Sequence, residues 1–192
     1  MSPIVRRKRR MKRIAFALVA AGLIATMAAY MAPASGQTDE EAAPIYGIKI
    51  PPGYRDWRLI SVNHLEGAEG KLKQVRAQLG NDIAIKAFRE REVPFPDGAI
   101  IAALHWNEFL SDENNKVLAF GFLGAGLQSS VAGSAVNIQF MVKDSTKYAA
   151  TGGWGFADFT NGKPGSEALH KTCFACHEPA KDHDYIFTRY AP

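Results

Sequence analysis

Cysteine is scarce: the 192 residues contain two, Cys173 and Cys176, both inside one short stretch. One disulfide is the most they can make, and a structural zinc site, which takes four ligands, would have to borrow from scattered histidines. Acidic residues are absent from Met1 to Thr38. Methionine is as thin beyond that point, where Met141 is the only one. No internal repeat is present, which sets aside solenoids and propellers. The apolar run from Ile14 to Tyr30 spans about seventeen residues, close to the minimum that crosses a bilayer.

The acid-free start has a specific order. Arg6, Arg7, Lys8, Arg9, Arg10, Lys12 and Arg13 precede the apolar run, and Ala32-Pro33-Ala34-Ser35 follows it. Charge, then apolar residues, then a small-residue Ala32-x-Ala34 exit is the layout of a secretory signal, with Met11 an alternative start. We expect residues 1–34 to be a cleaved signal peptide, the alternative being an uncleaved membrane anchor. Residues 35–44 read as a polar linker and 45–192 as a single domain. Export places that domain in the periplasm.

The net charge of +4 misdescribes such a domain, because seven of the 23 Lys and Arg residues belong to the leader. The remaining sixteen face nineteen acids, a net of −3. Nucleic acid, which wants a basic face on the folded domain, is not an expected partner. Contact with a membrane is expected only through the leader, should it stay uncut.

Within the domain, alternation and turn residues predict strands at Trp57 to Val62, Val75 to Leu79, Ala99 to Trp106, Val136 to Lys143 and Trp154 to Phe159. In the fourth, Val136, Ile138, Phe140 and Val142 face one way and Asn137, Gln139 and Met141 the other. Asn81 or Asp82 can cap a helix running to Glu90, and Ser166 one running into Cys173. Gly121 to Ser134, rich in Gly and Ser, reads as a flexible loop. The sum is α+β: an antiparallel sheet with flanking helices and a C-terminal segment that carries the cysteines.

Cys173-Phe174-Ala175-Cys176-His177 fits the attachment pattern of a c-type haem. Two thiols three residues apart reach the two vinyl groups of one porphyrin, and the adjacent imidazole falls beneath the iron. Maturation of such a protein requires export, which the leader supplies. We therefore expect one covalent haem c per chain, held by Cys173 and Cys176 and ligated by His177. A thioredoxin-like pair, the competing reading, expects a strand before the motif and a helix after it. Here a helix precedes the motif and Pro179 follows.

The opposite face of the iron has several candidates. Met141 is the one thioether available to a His/Met carrier, yet a strand methionine among apolar neighbours reads first as core. His170 and His183 lie too near His177 to cross the ring and read as polar surface residues; His64 remains. His105, at the end of a strongly apolar strand, reads first as a hydrogen-bonded buried or edge histidine and second as a ligand.

Several further segments resemble the cytochrome P-460 group and its relatives, the β-sheet cytochromes c-prime. They are Pro52-Gly53-Tyr54-Arg55-Asp56-Trp57, Phe95-Pro96-Asp97-Gly98, Met141-Val142-Lys143-Asp144-Ser145, Gly153-Trp154-Gly155-Phe156 and Phe187-Thr188-Arg189-Tyr190, in the family's order and covering nearly the whole exported domain. The resemblance implies a sheet-rich fold, a five-coordinate c-type haem with His177 as proximal ligand, and an open distal side that meets small nitrogen species; homodimers are common in the family. Members that oxidise hydroxylamine carry a lysine bonded to the porphyrin edge and a carboxylate on a facing strand as proton acceptor. Aligned from Asp97-Gly98, the lysine falls on Ala103; aligned from Val142-Lys143-Asp144-Ser145, the carboxylate falls on Gln139. Ala103 has no nucleophile, and Gln139 cannot take up a proton. Arg76 matches a pocket arginine of the family that could pair with a haem propionate or a bound anion, its alternative being a solvated strand arginine. A period of two puts His105 on the face of Ala103. The distal pocket is thus expected from Ala103, Gln139 and His105, with Phe120 or Phe122 added to its wall.

These readings lead to an exported haem protein that binds nitric oxide or a similar small ligand, or exchanges electrons with a redox partner protein. An enzyme turning over hydroxylamine at the same iron is the alternative.

Overall fold

The computed structural model describes residues 41–121 and 129–191. The leader expected over 1–34 lies outside the described residues, as do Phe122 and the side chain of Phe120.

Six strands make one sheet in chain order: β1 (Arg58–Glu66), β2 (Lys73–Gly80), β3 (Ile100–Leu110), β4 (Ser130–Lys143), β5 (Trp154–Thr160) and β6 (Lys163–Pro164). Every neighbouring pair is antiparallel, so the sheet is a meander. Among the described residues three helices accompany it: α1 (Asp82–Glu90), α2 (Asp112–Gly121) and α3 (Glu167–His177). The α+β architecture read from the sequence is the one observed.

The two caps foreseen are in place. Asn81 Oδ1 accepts from the amide of Ala84, and Ser166 Oγ from that of Leu169. Asn81 also accepts from the Ile100 amide at 3.1 Å and donates to the Gly98 carbonyl at 2.7 Å, joining the start of α1 to the start of β3. Asn81→Ala removes all three bonds. It is expected to cost at least the 1–2 kcal/mol of a strong cap, read as a lower urea midpoint; a shift equal to that of an exposed surface substitution would contradict this role.

Two elements differ from the sequence expectation. Helix α2 occupies a stretch for which none was read. Its signal is Ser111, whose Oγ accepts from the Asn114 amide, followed by Asp112 and Glu113 in the first turn. Of the loop expected from Gly121 to Ser134, residues 122–128 lie outside the described residues, Gly121 ends α2, and β4 already begins at Ser130. The small residues around Gly133 sit at a bulge. Pairing with β3 shifts register between Trp106 and Glu108, and a Cβ on Gly133 would stand 2.9 Å from the Asn107 carbonyl oxygen.

One face of the sheet is sealed by apolar packing. The ring of Tyr54 meets Phe140 edge-on at 5.3 Å, Phe140 meets Phe159 at 6.0 Å, and Ala84, Ile85 and Ala87 of α1 are buried in the same core. The other face is polar across its middle and looks toward α3.

The family-like segments lie mostly at one end of the sheet, where they pin strand ends together. Asp97 accepts from both the amide and the hydroxyl of Ser145 at 2.7 Å, which fixes the start of β3 against the end of β4. These bonds hold the Asp97 carboxyl below its ordinary value. At the same end, Lys143 and Asp184 form a buried ion pair at 2.8 Å.

Candidate functional site

Cross-strand partners of an antiparallel sheet point to the same side, so register alone assembles a wall. Gln78 of β2 pairs with Ala103 of β3, Ala103 with Gln139 of β4, and Gln139 with Asp158 of β5. One step along, Asn63 pairs with Arg76, Arg76 with His105, and His105 with Asn137. The two positions aligned from separate motifs, Ala103 and Gln139, therefore stand directly opposite one another.

Facing this wall is the last turn of α3. Cys173 and Cys176, three residues apart, share one side of the helix with His177. A cavity of about 360 Å³ separates helix from sheet, lined by Cys173, Cys176 and His177 on one side and by Arg76, Ala103 and His105 with Gln139 on the other. These seven were named from the sequence for the haem and its pocket; Phe122 and the side chain of Phe120, expected in the same wall, lie outside the described residues. The cavity's size falls in the range of cofactor and ligand sites.

The imidazole of His177 is oriented from behind. Its Nδ1–H donates to the Tyr185 carbonyl at 2.8 Å, leaving Nε2 free to ligate. Burial lowers its pKa, opposed by that same bond, and so favours the neutral form a metal requires. Phe156 and Phe187 flank the ring at 4.9 and 5.4 Å. The Tyr185 carbonyl is aimed by two successive left-handed residues, Asp184 (φ 52°) and Tyr185 (φ 64°), a conformation that costs energy outside glycine. The Lys143–Asp184 pair holds this turn, and Asp184 Oδ2 also accepts from the Phe95 amide at 2.8 Å. Room for the Tyr185 ring comes from Gly152 (φ 69°), where any Cβ would collide with it.

Burial, then the charges of Asp158 and Cys176, push the Cys173 thiol up to about 11. A thiol so reluctant to ionise is a poor partner in thiol–disulfide exchange. The motif also ends a helix instead of starting one, contrary to the thioredoxin-like reading. Among the described residues no third His, Asp or Glu joins the pair in a metal-binding cluster.

His105 is 4 % exposed, and its Nε2 has no hydrogen-bond partner among the described residues. Burial, helped by the neighbouring Arg76, lowers its pKa to about 4, so it stays neutral at ordinary pH. It is buried, as expected first, but it lines the pocket and its Nε2 is without a hydrogen-bond partner among the described residues. Arg76 is half-buried, its pKa lowered by burial, and its Nε is likewise unpartnered among the described residues. Met141 lies at the pocket edge, packed against the core.

His170 is a correction. Expected at the surface, it is fully buried. Its Nδ1 donates to the Ser166 carbonyl at 2.8 Å and its Nε2 accepts from the Asp158 amide at 3.1 Å, which fastens α3 to β5. The helical spacing 170, 173, 174, 177 places it on the buried side and was the available signal. His183 and His64 are exposed, His64 lying 3.3 Å from Glu108.

Asp158 was not read from the sequence. Its side chain is 5 % exposed and lies in the pocket wall, with Oδ2 accepting from Asn137 at 2.5 Å and Gln139 at 3.0 Å. Charge in a strand bounded by aromatic residues carries no periodic signal of its own.

The donor set fits an iron porphyrin. Leu169 and Phe187 turn apolar surface into the cavity, Arg76 brings a cation without a carboxylate partner among the described residues, and His177 offers a free Nε2. Fold and site together define a haem-binding cytochrome of the c type. The family model described as Cytochrome P460 matches residues 51–188, and the chain belongs to this family. No curated protein gives a significant match.

Proposed function

We propose that this chain is an exported cytochrome with one haem c joined through thioethers to Cys173 and Cys176, His177 being the proximal ligand, and that it binds small nitrogen species such as nitric oxide or passes single electrons. The observation that carries the reading is the cavity in which the Cys-x-x-Cys-His turn faces Ala103 and Gln139 across the sheet register. Bound there, the haem supplies an iron site open to a sixth ligand and a one-electron couple. His177 Nε2 would hold the iron, and Arg76 would pair with a propionate. Leu169 and Phe187 would exclude water from the ring edge.

Crosslinked chemistry finds no support. A methyl group at Ala103 cannot bond to the porphyrin, and the amide at Gln139 cannot accept a proton. The basic leader and its small-residue exit support a periplasmic location. Turnover of hydroxylamine is a second reading, favoured by one observation: a carboxylate, Asp158, is still present, one strand removed from the expected position.

Absorption spectroscopy of the purified protein tests the proposal. Expected are an ordinary c-type Soret band and spectral shifts on adding nitric oxide to the ferrous form. A strongly red-shifted ferrous band would mean that a crosslink forms after all. Steady loss of hydroxylamine would favour the enzyme. Met141→Ala is expected to leave the iron spin state unchanged; conversion from low to high spin would establish a His/Met carrier instead.

A further inference from the structure

Three walls enclose the cavity, and they are held unequally. The sheet is hydrogen-bonded strand to strand, and α3 is tied to it by the bond from the Asp158 amide to His170 Nε2. The third wall is a strap that follows Tyr185, of which Ile186, Phe187 and Thr188 line the cavity. The Ile186 amide donates to the His183 carbonyl at 3.2 Å, and the Ala191 amide to the Ile60 carbonyl at 2.8 Å. Between these points residues 187–190 make no backbone hydrogen bond among the described residues. Segments held so sparsely are the first to open.

The far end of the strap is closed by Tyr190. Its ring stacks on Phe88 at 6.2 Å with the planes 22° apart, and its hydroxyl accepts from Arg89 Nε at 3.0 Å. Both partners belong to α1, which buries Ala84, Ile85 and Ala87 in the core. Helix α1 thus secures one wall of a cavity that it does not itself line. The near end is fixed by Ile186, which is buried, whereas Phe187 is 62 % exposed although its ring stands 5.4 Å from that of His177. Releasing Tyr190 therefore frees residues 187–190 while the Tyr185 carbonyl and the Lys143–Asp184 pair, which lie before Ile186, keep His177 in place.

We infer that residues 187–190 are a gate through which iron porphyrin enters and leaves the cavity, and that Tyr190, seated on Phe88 and Arg89, is its latch. The inference rests on the haem reading above and adds a route to it. A gate passes haem in both directions, so loosening it raises uptake and loss together. A wall that only contacts the haem would, when loosened, raise loss alone.

Two measurements on Tyr190→Ala test this. In the haem-free protein, amide hydrogen exchange of residues 187–191 is expected to quicken about tenfold, the worth of a stacked ring and a hydrogen bond together, with exchange in β3 and β4 unaltered. In the Cys173→Ala/Cys176→Ala protein, where no thioether holds the haem, Tyr190→Ala is expected to speed both hemin uptake and hemin loss to excess apomyoglobin, leaving their ratio within about threefold. Arg89→Met, a change at an exposed position, removes the hydrogen bond and the cation beside the ring. It is expected to give about a fivefold rise in the same rates and decides the matter if Tyr190→Ala does not accumulate. Unchanged exchange of residues 187–191 overturns the latch, and faster loss without faster uptake overturns the gate; either leaves the haem assignment intact. Unaltered protein that carries no haem overturns both.

Discussion

Replacing Cys173 and Cys176 together by alanine is expected to abolish covalent pigment, so that acid acetone strips the haem from the denatured variant but not from the parent. The two thiols sit on one side of the final turn of α3, Cys176 exposed and Cys173 half-buried, and both line the cavity. Each is placed to take one vinyl group, so a single substitution should leave a one-thioether product, visible as retained colour with a shifted spectrum. The double variant keeps His177 and its bond to the Tyr185 carbonyl, and so keeps an axial ligand. Haem should then bind reversibly, as in b-type proteins. Colour that resists extraction from the double variant would remove the basis of the assignment.

The second large effect lies away from the iron. Lys143→Met leaves the Asp184 carboxylate buried without its cation, and such breaks cost about 3–5 kcal/mol. A domain of this size holds only about 5–15 kcal/mol in all, so a large drop in the urea midpoint is expected. Lys143 and Asp184 are 5 % and 6 % exposed, which leaves little solvent to screen the loss. Lys143 also donates to the Gly152 carbonyl at 3.1 Å and lies 5.0 Å over the Trp154 ring, and the thioether of methionine keeps only the second contact. Adding Asp184→Asn should recover part of the stability. A midpoint unchanged in Lys143→Met would show that the pair contributes nothing.

Local signals were legible in this sequence. Asn81 and Ser166 announced their helices, the alternation from Val136 to Lys143 gave the two faces of β4, and Cys173 to His177 announced the cofactor. What could not be read depends on register. That Asp158 lies beside Gln139, and Gln139 beside Ala103, follows from how three strands slide past one another, and a slip of one residue would turn each side chain to the other face. His105 illustrates the same limit: its strand face was readable, its unpartnered nitrogen was not. Gly133 and its small neighbours were misread because a bulge and a loop use the same residues. Helix α2 was missed although Ser111 and the two acids after it are an ordinary start signal.

The meander closes with residues no later than Pro164. The helix that bears the thiols is therefore joined to a sheet whose strands are already paired without it, through His170 and the Lys143–Asp184 contact. Loosening that tail and melting the strands are then separate events with separate free energies. A state with the strands paired and the final segment released would leave both sulfur atoms open; reaching it means breaking the buried Lys143–Asp184 pair and the bonds of His170.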